Sequence, residues 1–585
     1  METIIIAAIC LSVLIVIILG FFLIYSLKKK RVLRKLAEKY GKPSTRAYDE
    51  RDFTNISQLF TLFPAKGKET VDDITWNDLQ MPLVYQQMNH SVSHIGDEFL
   101  HRHIRTQRYD ELDRLEKHIQ YFDAHPKERL NLQYAFHNIN PKTRVEQTRA
   151  SYLTENKKKC VDFVAHMKDT DLFPNISIIP SAVILISAIL LIVFVLCIPI
   201  LSFVNVQALI VILVLSMFFV ISGSAIYFEL FMKKIHDYIP TIKTFCAGVN
   251  ASAQIAKLDP NVFGKELQLL IPVIKKLRNK SRDMNALIDI CMLQNEMAAG
   301  LGIITLIFGL YGFVYQWAVK TIKRFTAEAM ISYESIGYVE LCIGLGSYRK
   351  TISNYCHPEF SENSQVAFDE LYHPLLKDPV TNSKTLNHKL IITGANASGK
   401  STFIKTLAIN AITAQSINLC YAKRFSLQPA YIYTAMNLSD DITTGDSFYM
   451  AEIKRLKGFL DSLGKASYKM YFVDEILKGT NTIERIAAAS SVLRRFAESN
   501  CFFCLATHDT ELTSILQHYY SNYHFEETTT DTEIFYDYKL YDGVTPGSNA
   551  IALLRVMQYD ESIVDGASKS AQYYISNSKW EIFPK

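Results

Sequence analysis

The chain has 585 residues, 49% of them hydrophobic and 21% charged, which at roughly 150 residues per domain is enough for about four domains. With 34 Phe, 32 Tyr and only 17 Pro, it has neither a disordered nor a collagen-like composition. The formal net charge of +4, from 62 Lys and Arg against 58 Asp and Glu, is too even to mark a nucleic-acid binder by itself.

The apolar excess falls in blocks. Thr3 to Leu27 carry no charge and are followed by Lys28, Lys29, Lys30 and Arg31. A cleaved signal peptide has its positive charge before the apolar run, so 1–27 is predicted to be an uncleaved transmembrane anchor with the basic end inside. Region 28–180 is mostly helical in pattern. Phe99, Ile104, Leu112, Leu115, Ile119 and Phe122 recur at helical spacing among charged residues, which predicts amphipathic helices.

Leu172 to Phe228 again carry no charge, over more than twice the ~20 residues that one crossing needs. The expectation is a transmembrane hairpin over 181–230, with a short turn at Asn205 and Gln207 and a return marked by Lys233 and Lys234. Region 231–358 reads as helical. Its basic residues Lys275, Lys276, Arg278, Lys280 and Arg282 fit a solvated helix face at least as well as a phosphate-binding patch. Within it, 297–319 is charge-free. This segment is expected to be buried or to lie against the membrane rather than to cross it. From about 360 onward, short apolar runs alternate with helical segments, the βα texture of a parallel sheet.

Of the ten Cys, Cys501 and Cys504 have CxxC spacing but lie in an apolar run with no second pair nearby. Core packing is the expectation there rather than a metal or redox site.

Leu390 to Thr393 reads as a strand. It is followed by Gly394-Ala395-Asn396-Ala397-Ser398-Gly399-Lys400-Ser401 and then a helix start. The spacing fits GxxxxGK[ST], a phosphate-binding loop whose backbone N–H groups face phosphate oxygens. Lys400 is predicted to reach the β and γ phosphates, with Ser401 on Mg²⁺. Met470 to Val473 is an apolar strand ending in Asp474 and Glu475. Asp474 is predicted to hold the Mg²⁺ shell and Glu475 to orient or deprotonate the attacking water. A third strand, Phe502 to Ala506, ends at Thr507-His508. His508 then lies where ligands bind in open α/β sheets and is placed to sense the γ-phosphate.

Together these segments resemble the MutS family of DNA mismatch-repair ATPases. Thr393 to Thr402 is similar to TGPNxxGKST, with Ala395 where Pro is usual. Asp474 to Thr482 is similar to DEIGRGTST, Ala506-Thr507-His508 with Glu511-Leu512 to ATHxxEL, and Ser447-Phe448-Tyr449-Met450-Ala451-Glu452 to STFMxE. Tyr538 to Leu540, Gly547 to Ala552 and Ala567 follow the family's closing pattern.

The resemblance is strong over about 360–567 and weaker upstream, at Asp78-Leu79, Gly96 to Phe122 and Tyr315 to Arg349. It implies an α/β P-loop ATPase domain of the MutS/ABC type over 359–585, with an all-α core and lever split by the membrane hairpin. The implied nucleotide-binding set is Gly394, Asn396, Gly399, Lys400, Ser401 and Thr402, with Glu475, His508 and Lys400 in catalysis and Ser401 and Asp474 on the metal. Ser447 would be presented to the ATP of a homodimer partner. The resemblance does not extend to the family's mismatch-recognition domain, which is expected to be absent, with the anchor and a polar stretch in its place.

ATP and Mg²⁺ are the implied cofactors, and DNA and the lipid bilayer the implied partners, with a multi-pass inner-membrane location and the ATPase domain in the cytoplasm. Two functions compete. One is a membrane-anchored MutS-like ATPase coupled to DNA; the other is an ATP-driven switch acting on a membrane or protein partner. An ATP-driven transporter is a weaker third, because no LSGGQ-type signature is present.

Overall fold

A computed structural model gives the fold. It describes the chain except residues 1, 65–68, 107, 140–162, 175, 198–205, 236–237, 292–307, 396–397, 437–447, 465–466, 530–533, 546–549 and 583–585. The chain divides into a helical unit, Met1–Pro64, Asn89–Arg102 and Lys117–Thr351, and a sheet unit, Ala65–Met88, His103–Glu116 and Ile352–Lys585.

In the helical unit, Ile239–Ile255, Pro260–Cys291, Leu310–Arg324 and Thr326–Arg349 pack together around buried Ile242, Phe245, Val249, Leu277, Ile322 and Ile336. The amphipathic reading of 97–130 corresponds to the helices His94–Arg105, Leu112–Ala124 and Pro126–His137, and all six of the predicted apolar positions are buried. Glu340 accepts hydrogen bonds from the N–H groups of Val92 and Ser93, satisfying donors that lead into His94–Arg105.

The N-terminal apolar run belongs to one helix, Glu2–Lys39, which continues through the exposed basic cluster at 28–31. Two further segments, Ile179–Cys197 and Ile210–Phe231, are long and apolar enough to cross a membrane, with rises of about 28 and 33 Å. Only 11% and 6% of them is buried. The turn between them and residues 297–307 lie outside the described residues. The remainder of that segment starts the helix Leu310–Arg324, with Tyr311 and Tyr315 buried. That helix approaches Ile179–Cys197 closely at Gly312, where a Cβ would collide with Ser181 Oγ.

The sheet unit holds two sheets. The strands are β1 (Glu359–Phe360), β2 (Val366–Leu371), β3 (Asn382–Leu386), β4 (Lys389–Thr393), β5 (Arg424–Leu427), β6 (Tyr431–Ala435), β7 (Lys469–Asp474), β8 (Phe502–Ala506), β9 (Ser521–Thr529) and β10 (Ile534–Asp542). The larger sheet has the order β10-β9-β4-β8-β7-β6 and is parallel except for β10. β4 and β8 are buried along their whole length, as expected of parallel strands covered on both faces.

Alternation sends Ile391, Tyr471, Val473, Phe503 and Leu505 to one face. There they meet Leu456, Phe459, Leu493, Phe496 and Leu512 from the helices Phe448–Ser462, Thr482–Ala497 and Thr510–Ile515. The helix Lys400–Ile417 packs on β6, β7 and β8.

The βα texture accounts for this sheet alone. A second, four-stranded sheet of order β1-β5-β2-β3 contains antiparallel pairs. Its short, partly exposed strands give no continuous apolar signal. Segments ahead of 359 also belong to the compact sheet unit. Asp72 binds Arg455 through two bonds of 2.7 and 3.1 Å. Buried Asp78 accepts from Thr434 Oγ1 at 2.7 Å and Met436 N–H at 3.0 Å, pinning these segments at β6.

Candidate active site

The carboxyl ends of β4, β8 and β7 lie side by side, and each delivers part of the site. Backbone bonds fix their relative heights. Thr507 N–H donates to Ile392 O at 3.0 Å, and Glu475 N–H donates to Ala506 O at 2.8 Å.

After β4, the chain turns at Gly394 (φ +144°) and Gly399 (φ +107°), left-handed backbone that only glycine adopts without strain. A Cβ at Gly394 would also meet Phe525 O at 2.9 Å. Gly399 opens the helix Lys400–Ile417, so the helix N–H groups that have no intrahelical partner point toward the loop. Lys400 is buried, and its Nζ donates to Gly394 O at 2.6 Å and Ala395 O at 2.7 Å. Burial lowers the Lys400 pKa, while Asp474, Glu475 and Glu527 pull it the other way. Ser401 is partly buried and Thr402 is exposed on the first turn. Asn396 lies outside the described residues.

Asp474 ends β7, level with Ala506. Glu475 follows at φ +60° and Leu477 at φ +57°, each a left-handed position that costs a non-glycine residue about 1–2 kcal/mol. The strained turn is held from outside. Buried Glu452, on the helix Phe448–Ser462, accepts hydrogen bonds from Leu477 N–H and, at 3.1 Å, from Lys478 N–H. Burial raises the pKa of Glu452, and these two N–H groups oppose that shift. The sequence reading named Glu452 only within the family segment and gave it no role. The missed signal is an acid that falls on the core side of an amphipathic helix.

The turn aims the Glu475 carboxylate at His508, with Nε2 to Oε1 at 2.9 Å, and at Lys478 Nζ, 3.2 Å from Oε2. The His508 contact holds the Glu475 carboxyl down at about 2 against the opposing effect of burial, and Lys478 adds to the depression. Glu475 is therefore ionised at neutral pH, as a group that orients or deprotonates water must be. The turn carrying His508 is clamped by Asp509, which takes two bonds from Arg485 at 3.0 and 2.6 Å and donates its N–H to Thr507 Oγ1 at 3.0 Å.

Gly394, Gly399, Lys400, Ser401, Asp474, Glu475 and His508 thus gather at one sheet edge. Ser447 lies outside the described residues; its neighbour Tyr449 packs against Gly479, where a Cβ would stand 2.7 Å from Tyr449 Cβ. Cys504 is buried within β8 and Cys501 just ahead of it, and no cluster of three or more metal-ligating side chains occurs among the described residues.

The loop suits a phosphate chain. Two left-handed glycines flank it, and the Lys400 ammonium bonds the carbonyls of Gly394 and Ala395. The buried Ser398 Oγ has no hydrogen-bond partner among the described residues.

Residues 390–574 match the family described as MutS domain V. The chain is 34% identical over 216 residues to the Homo sapiens protein "MutS protein homolog 4" and 33% identical over 216 residues to the Mus musculus protein of the same name. These stretches make up 34% of this chain, and they span less than a quarter of the relatives, 23% and 22% respectively. Sequence match, parallel sheet and edge geometry agree that residues 390–574 are similar to a MutS-type α/β ATPase domain.

Proposed function

We propose that the chain is a membrane-anchored MutS-like ATPase that binds and hydrolyses ATP with Mg²⁺ as a homodimer and couples this cycle to DNA. The convergence of Lys400, Glu475 and His508 on one sheet edge carries the reading. Gly394, Gly399 and the start of the helix Lys400–Ile417 would hold the phosphates, and Ser401 and Asp474 would hold Mg²⁺, which neutralises charge on the transferring phosphoryl group. Glu475 orients the attacking water and takes up its proton, while His508 keeps the carboxylate in place and ionised.

DNA as partner, the dimer with Ser447 shared across it, and the inner-membrane location rest on the family resemblance and on the apolar segments. The exposed helices Ile179–Cys197 and Ile210–Phe231 favour a second reading, in which the same ATP cycle moves a membrane-embedded load without DNA.

Turnover of the full chain in lipid discs, with and without duplex, mismatched and branched DNA over a range of salt, separates the two. DNA-stimulated hydrolysis that weakens as salt rises supports the first reading. Hydrolysis indifferent to every DNA, with a hairpin crosslinking pattern that changes on ATP addition, supports the second.

A further inference from the structure

Ahead of β1, the chain runs antiparallel to the segment that leaves the helix Lys400–Ile417, and the two residues placed opposite each other are Cys356 and Cys420. Cys356 N–H donates to Cys420 O at 3.0 Å, and Cys420 N–H donates to Cys356 O at 2.9 Å. A pair that exchanges both bonds has its Cα atoms about 5.5 Å apart, inside the roughly 4.4–6.8 Å in which a disulfide can close. The two side chains are near enough that each shifts the titration of the other.

The backbone around them is pinned. His357 Nδ1 is hydrogen-bonded to Asn418 O at 2.9 Å, Tyr372 N–H donates to Tyr421 O at 3.0 Å, and Tyr421 N–H donates to Asn410 Oδ1 at 2.6 Å. These bonds hold the two segments in register, with Cys356 opposite Cys420.

The two sulfurs are not equivalent. Cys420 is fully buried, which pushes its thiol well above the ordinary range. Cys356 is partly exposed, and the contact with Cys420 lowers its pKa. An accessible thiol of lowered pKa beside a buried second thiol is the arrangement in which one cysteine is attacked and the other resolves.

We propose that Cys356 and Cys420 form a reversible disulfide, a redox modification site that ties the segment ahead of β1 to the end of the P-loop helix. With a low-molecular-weight disulfide such as oxidised glutathione, the Cys356 thiolate attacks one glutathione sulfur. The glutathione S–S bond breaks, the Cys356–glutathione bond forms and one glutathione thiolate leaves. Cys420, losing its proton, then attacks the Cys356 sulfur and displaces the second glutathione. The protein thiols give up two electrons and two protons, and the oxidant becomes two glutathione thiols.

Hydrogen-bonded antiparallel pairs hold their Cβ atoms about 4.5–5.5 Å apart, whereas a relaxed disulfide prefers roughly 3.5–4.5 Å. Closure therefore stores strain, the property of labile rather than permanent disulfides. The enclosed segment contains the P-loop, so the bond restrains the far end of the helix that carries Lys400.

The test equilibrates the purified full chain in buffers of graded reduced and oxidised glutathione, followed by acid quench, alkylation and peptide mass spectrometry. The expected result is a Cys356–Cys420 linked peptide that rises with the oxidised share and disappears on return to reduced buffer. Cys420→Ser should instead trap a glutathione adduct on Cys356, and Cys356→Ser should leave Cys420 unmodified. Hydrogen exchange at the amides near 415–420 should slow severalfold in the oxidised wild type relative to the reduced protein. A wild-type protein that accumulates the adduct at Cys356 with Cys420 still free, or keeps both thiols free in fully oxidised buffer, overturns the proposal. No nucleotide enters the assay, so its outcome is independent of the ATPase reading.

Discussion

The apolar segments of the two compact units have opposite fates. In the sheet unit, β4 and β8 are covered on both faces, and Ile391, Phe503 and Leu505 sit at the centre of a packed cluster. In the helical unit, Ile179–Cys197 and Ile210–Phe231 are also strongly apolar yet expose Ile186, Leu190, Leu196, Phe218 and Phe219. The first kind of segment is covered by the chain itself. The second is mostly exposed among the described residues, and each helix is long and apolar enough to cross a membrane. Composition alone does not separate these cases; length does, because strands of five or six residues are too short to span a bilayer whereas helices of about 20 are long enough.

The comparison can be broken at several strengths. The largest effect is expected from Lys400→Ala, which removes the buried ammonium at the phosphate loop. ATP retention should be lost and turnover should fall by roughly two to three orders of magnitude, measured by filter binding and phosphate release. Next, Ile391→Ala opens a cavity in the covered sheet and should cost about 2–5 kcal/mol, read from the denaturant midpoint of the transition reported by the sheet unit. Glu452→Ala leaves the Leu477 and Lys478 N–H groups without their carboxylate and should cost about 1.5–3 kcal/mol, with turnover falling as the Glu475 turn loosens. The smallest effect is expected at Leu190→Ala, on the exposed helix, which should stay within about 0.5 kcal/mol in detergent. A Leu190→Ala penalty as large as that of Ile391→Ala would mean that the helix is covered by protein, and the contrast between the units would fail.

The site was more legible in the sequence than the fold around it. Gly394 to Ser401, Asp474-Glu475 and His508 each follow a short apolar strand, so local pattern places them at strand ends, and a parallel sheet then brings those ends together. Residues that act across long sequence separations were not legible. Glu452 reaches the turn after β7 from a preceding helix, and Asp72 and Asp78 reach Arg455 and β6 from more than 350 residues away. No periodicity encodes such contacts. The four-stranded sheet was missed for a different reason: β1, β3 and β5 are short and half exposed, so their alternation is too brief to register.

The central claim is that Glu475, held ionised by His508, activates water for ATP hydrolysis. It is tested most directly by measuring ATP retention and single-turnover hydrolysis in the full-length Glu475→Gln variant beside the wild type. The account predicts that the variant retains ATP while hydrolysis falls by roughly two to four orders of magnitude. Because the carboxyl titrates near 2, the wild-type rate should also show no loss attributable to Glu475 as pH drops from 8 to 5. Hydrolysis by Glu475→Gln at the wild-type rate would contradict it.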